Sequence, residues 1–155
     1  MSEERQIAEK LTKNKLSLAV AESCTGGLVS SLITDVPGSS KYFFGGVTAY
    51  SNELKTSLLK VPHRMIKKHG AVSEEVAEAM AHGIKKETGA DITAAITGIA
   101  GPDGGTEEKP VGLAHIVVLG PMVKRARKVL FQGTREEIKQ QFAEAALEQV
   151  LKSIN

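Results

Sequence analysis

The sequence predicts one three-layer α/β/α domain, residues 1–155, built on a mixed, mostly parallel sheet. Three observations predict it. Short apolar runs of strand length alternate with stretches of helical period through the first two thirds of the chain. Two further strand-like runs then surround Gly120-Pro121, and a hairpin there adds antiparallel pairing to the sheet. A chain of 155 residues, 41% hydrophobic and 25% charged, suits one soluble globular domain with a sizeable core.

The elements run in order. Residues 2–14 are helical, with Ile7, Ala8 and Leu11 on one side. Residues 16–21 form a buried strand and residues 23–34 a helix, closed by Asp35-Val36-Pro37-Gly38. Residues 43–50 form a strand. Ser51 or Asn52 caps the short helix after it, and Pro62 opens another that stops at Gly70. Ser73 starts a helix whose apolar residues Val76, Ala77, Met80, Ala81 and Ile84 share one face, and Gly89 ends it. Residues 91–97 form a β-branched, Ala-rich strand, and residues 98–112 a long glycine-rich loop. Residues 113–119 and 127–131 pair as strands. Thr134 and Glu137 make a capping box for the last helix, which buries Ile138, Phe142, Ala145, Ala146 and Val150.

Composition excludes several classes. The apolar runs are too short to span a bilayer, and the acidic start lacks the apolar core of a secretory signal. Cys24 is the only cysteine, so no intrachain disulfide framework is available and a cytoplasmic setting is expected. Net charge is +2, tryptophan is absent and aromatics make up 4%, which supplies a poor platform for nucleic acid. The basic run Lys124-Arg125-Ala126-Arg127-Lys128 reads as a solvated edge strand, its charges opposing edge-to-edge aggregation. No His/Cys/Asp cluster has metal-ligand spacing, so neither metal nor cofactor is expected.

Chemistry concentrates at four places. Ser23 stands where a strand turns into a helix, in Ala21-Glu22-Ser23-Cys24-Thr25-Gly26-Gly27. It reads as an N-cap or as a nucleophile facing free N–H groups, with Gly26 and Gly27 leaving room for a ligand. The four histidines sit in no catalytic motif. Lys55, in the first turn of its helix, is the alternative base: the helix dipole and burial would both disfavour its ammonium. Otherwise it is an exposed helix lysine. Tyr50 can bond into the same site. The loop Thr97-Gly98-Ile99-Ala100-Gly101-Pro102-Asp103-Gly104-Gly105 comes after a strand, where α/β sheets bind ligands, and is neither a P-loop nor a dinucleotide fingerprint. Arg135, at the start of the last helix, can meet a phosphate or carboxylate, or simply face solvent. Ser39 and Ser40 read as an ordinary turn whose hydroxyls can also reach a ligand. Cys24 is the rival nucleophile, or a small core residue.

Several motifs in order resemble the CinA C-terminal domain family: the Ser23 stretch, Pro37-Gly38-Ser39-Ser40, Tyr50-Ser51-Asn52-Glu53-Leu54-Lys55, His69-Gly70-Ala71-Val72-Ser73, the Thr97–Gly105 loop and Glu108-Lys109-Pro110-Val111-Gly112. The resemblance runs from about residue 5 to the end. Larger members carry an additional N-terminal domain, for which 155 residues leave no room. Stand-alone members resemble nicotinamide mononucleotide deamidase, which releases ammonia from the carboxamide in pyridine nucleotide salvage. The resemblance implies Ser23 as nucleophile, Lys55 as general base and Tyr50 as an assisting hydroxyl. It implies Thr25, Gly26, Gly27, Ser39, Ser40, Thr97, Gly98, Ile99, Ala100, Gly101 and Arg135 as the surroundings of the nucleotide, Arg135 on its phosphate. It also implies a small-molecule nucleotide as partner, neither nucleic acid nor membrane, and a homodimer. Two alternatives stay open: a nucleotide-binding sensor without turnover, and a Ser–Lys amidase for another small amide.

Overall fold

A computed structural model describes residues 1–154. The elements are α1 (Glu3–Asn14), β1 (Leu18–Glu22), α2 (Leu28–Thr34), a 3-10 turn (Ser39–Lys41), β2 (Phe43–Thr48), α3 (Asn52–Leu59), α4 (His63–His69), α5 (Glu74–Thr88), β3 (Ile92–Gly98), β4 (Leu113–Leu119), β5 (Lys124–Leu130) and α6 (Arg135–Lys152). The sheet order is β2-β1-β3-β4-β5. β1 pairs in parallel with both β2 and β3, and β4 runs antiparallel to β3 and β5, so four strands point one way.

Two apolar layers clothe the sheet, divided by the two-residue period of its strands. Leu18, Val20, Ile92, Ala94, Ile96, Ala114, Ile116 and Val118 face α1, α2 and α6, where Ile7, Leu11, Val29, Ile33, Phe142 and Val150 complete the core. Ala19, Ala21, Ala95, Val117 and Leu119 face the other way, onto Leu59, Val61, Ile66, Val76, Met80 and Ile84. Because both faces are covered, every residue of β1 is buried, which is why it reads as an unbroken apolar run rather than an alternation. Ser51, Ser73 and Thr134 each cap their helix with a side-chain oxygen, and Thr134 with Glu137 closes the capping box.

Two boundaries differ most from expectation. The helix expected at residue 23 starts at Leu28, because Gly26 and Gly27 have φ of +62° and +104°, left-handed values that no right-handed helix admits. Ser23 is therefore not its N-cap; Gly27 holds that place and has no side chain to cap with. β5 begins at Lys124 rather than Arg127, since pairing with β4 outweighs the low strand propensity of its basic residues. It is an edge strand, exposed at all but Arg127 and Val129. Among the described residues, no helix is long and apolar enough to cross a membrane.

Candidate active site

The chain turns to opposite sides of β1 to reach β2 and β3, and ligands of such sheets bind beyond the carboxyl ends of the strands at that point. The structure places Ser23 directly after β1, Tyr50 two residues after β2 and Thr97-Gly98 at the end of β3. Helices α3 and α6 bring Lys55 and Arg135 to the same end. Together they surround an open cavity of about 230 Å³.

The Ser23 Oγ and Lys55 Nζ lie 2.9 Å apart, within hydrogen-bond reach. Nζ also donates to the Tyr50 carbonyl at 2.9 Å. Ser23 is 7% and Lys55 1% exposed, so this lysine is not the solvent-facing helix residue its position allows. Desolvation pulls its pKa below the usual 10.5, against smaller opposing pulls from Cys24 and Glu53. When the amine is neutral, one N–H still bonds the Tyr50 carbonyl while the lone pair faces the serine hydroxyl; the pair can then pass a proton from Oγ to Nζ.

Cys24 lines the cavity beside Ser23 but is 6% exposed. Burial first, and the nearby Glu22 charge next among the raising influences, push its thiol up to about 12. A thiol held protonated is a poor nucleophile.

The other expected residues divide. Gly98, Ile99, Ala100 and Gly101 line the cavity wall, as does Thr97, whose hydroxyl donates to the Ala71 carbonyl at 2.9 Å. Among the described residues, the N–H groups of Ala100 and Gly101 have no hydrogen-bond partner, whereas that of Ile99 is taken by Leu113. Arg135 binds the Gly101 carbonyl through Nη1, and its Nη2 donates to the Tyr50 hydroxyl at 3.1 Å. The Tyr50 hydroxyl thus meets Arg135 at the rim, while its main-chain carbonyl is what touches Lys55.

Thr25, Gly26 and Gly27 do not line the cavity; the Thr25 hydroxyl is turned inward onto Glu22. Nor are Ser39 and Ser40 brought to it. They precede β2, whereas the cavity lies past its carboxyl end, and the strand holds those two ends apart by its own length, roughly 20 Å. The structure adds Asn52, Val72 and Asp103 to the lining. It also adds Glu22, 1% exposed beneath the Ser23 turn. A carboxylate closing a fully buried apolar strand was the signal for Glu22, because buried charge has to be satisfied.

The model of the CinA C-terminal domain matches residues 1–154. The chain belongs to this family. A CinA-like protein of Desulfotalea psychrophila is 54% identical over 142 residues, which cover 92% of this chain and 34% of that protein. A CinA-like protein of Thermotoga sp. is 50% identical over 149 residues, covering 96% and 36%. The chain thus spans about a third of the length of these CinA relatives. Among solved CinA structures, the competence/damage inducible protein of Agrobacterium tumefaciens superposes with a TM-score of 0.94 at 36% identity, covering 97% of this chain and 92% of that one. The CinA superfamily protein of Klebsiella pneumoniae gives a TM-score of 0.94 at 29% identity, covering 98% and 95%.

Proposed function

We propose that this CinA domain is a Ser–Lys amidohydrolase that converts nicotinamide mononucleotide and water to nicotinate mononucleotide and ammonia. What carries the reading is the buried Lys55 amine, 2.9 Å from Ser23 Oγ and drawn towards its neutral form by desolvation. Lys55 takes the proton of Ser23 as Oγ attacks the carboxamide carbon. The free N–H groups of Ala100 and Gly101 are the donors available to the oxyanion. Lys55 returns the proton to the departing nitrogen, ammonia leaves, and water then attacks the acyl-serine with Lys55 again as base. The chemistry calls for no cofactor.

A cavity of about 230 Å³ suits the pyridine carboxamide better than a whole nucleotide. The ribose and phosphate would lie along its open side, towards Arg135. The test is incubation of the purified protein with nicotinamide mononucleotide and measurement of ammonia. Release that stops in Ser23→Ala supports the reading. Binding of the nucleotide without ammonia favours a sensor instead, and release of ammonia only from other amides favours a different substrate.

A further inference from the structure

Glu22 is the last residue of β1, next to Ser23, and its carboxylate collects four hydrogen bonds. Oε1 accepts from the Thr25 hydroxyl at 2.6 Å and from the Val29 N–H at 2.9 Å. Oε2 accepts from the Ser30 N–H at 3.0 Å and from the Ser30 hydroxyl at 2.8 Å. A carboxylate has about four lone-pair sites, so all are filled, and all by neutral donors. The turn these bonds fasten carries two consecutive left-handed glycines and a helix start without a side-chain cap. Near the nucleophile the turn is also tied by the Ser23 N–H on the Ile96 carbonyl and by the Gly26 N–H on the Ser23 carbonyl, each at 3.1 Å. The Glu22 carbonyl meanwhile accepts from the Ala49 N–H at 2.9 Å, one residue before the Tyr50 carbonyl that anchors Lys55.

We propose that Glu22 is a positioning residue for Ser23: its carboxylate clamps Thr25 and the first turn of α2, and so holds the serine hydroxyl against Lys55. This rests on Ser23 being the nucleophile. The same charge adds a smaller push to burial, the main influence, in opposing the thiolate of the neighbouring Cys24.

In Glu22→Gln the side chain keeps its size, but one acceptor becomes an N–H₂ donor facing either the Ser30 N–H or the Val29 N–H. Thr25→Val removes a single donor at constant shape, and Thr25→Ser keeps it. The readouts are the rate at which a fluorophosphonate probe labels Ser23, located by mass spectrometry, and kcat and KM for amide hydrolysis, with urea midpoints as a check on folding. Displacement of the nucleophile should slow labelling and kcat by about tenfold or more in Glu22→Gln, and less in Thr25→Val, because a misplacement of 1 Å costs up to about 100-fold. KM should stay within about twofold, since the Gly98–Gly101 wall and Arg135 are untouched, and Thr25→Ser should behave as wild type.

Folded Glu22→Gln and Thr25→Val that label and turn over at the wild-type rate would overturn the proposal. So would a loss shared equally by Thr25→Ser, or one that appears mainly in KM. If Glu22→Gln does not fold, the Thr25 pair decides. Wild-type protein labelled at Ser23 but inactive on the nucleotide would remove only the substrate, and labelling would still test the clamp. Wild-type protein unreactive at Ser23 would remove the nucleophile and the clamp together.

Discussion

Lys55→Met separates the chemical role of the buried amine from its structural one. Methionine nearly matches the lysine stem and removes only the amine. Two hydrogen bonds go, to Ser23 Oγ and to the Tyr50 carbonyl, worth about 1 kcal/mol each. Against that loss, a polar group 1% exposed no longer has to be buried, which returns a similar amount. Stability should therefore change by no more than about 2 kcal/mol, read as a shift of the urea midpoint at constant slope. Amide hydrolysis should fall by about 10²–10⁴-fold, the usual worth of a general base.

The pH dependence supplies an independent reading. The folded Lys55 pKa lies below 10.5, so the neutral, active form grows as pH rises through the lowered value, and the wild type should show an acid limb with its midpoint below 10.5. Stability has the same sign. The unfolded chain binds this proton more tightly, so the contribution of Lys55 improves with pH between the lowered folded value and 10.5, and falls as pH drops across that window. Lys55→Met should lose both dependences. A Met variant that retains a tenth or more of wild-type turnover, or a wild-type rate that is flat in this range, would refute Lys55 as the base.

Three further outcomes are expected. Cys24→Ala should retain most activity, and iodoacetamide should modify Cys24 in the native protein only slowly at pH 8, because the thiol is buried and pushed up to about 12; abolished activity with Ser23→Ala still active would reverse the nucleophile assignment. Arg135→Ala should weaken binding of nicotinamide mononucleotide more than of its dephosphorylated nucleoside by calorimetry, and equal weakening would rule out a phosphate contact. Gly27→Ala should cost about 1–2 kcal/mol by urea unfolding: the added Cβ has room, 3.7 Å from the Thr48 hydroxyl, so the cost is that of a side chain at φ of +104°. An unchanged midpoint would contradict the left-handed turn.

Local and periodic features were legible in the amino-acid order alone. Ser51, Ser73 and Thr134 announce their helices because a cap acts within three residues. The covered sheet shows in the unbroken apolar run of β1, and the hairpin of β4 and β5 in a turn between two strands. The start of α2 was misplaced because the apolar period of residues 28–33 extends plausibly back over the glycines, and only the φ values of Gly26 and Gly27 stop it.

Residue by residue the site was legible only as alternatives, and the family resemblance is what joined them. Ser23 reads as a cap or a nucleophile, and Lys55 as a base or a surface lysine. Their 2.9 Å separation, across thirty-two residues of chain, exists because β1 and β2 run parallel and α3, which follows β2 and packs against α5, brings Lys55 to their carboxyl ends. The same strand direction sets Ser39 and Ser40 at the far end, a distinction that residue type does not carry. The burial of Lys55 and of Glu22 is likewise tertiary, although the four bonds to Glu22 come from within eight residues of it. Whether a charged group is solvated or enclosed depends on what the rest of the chain packs against it, and that changes a helix lysine into a base and a strand-end glutamate into a clamp.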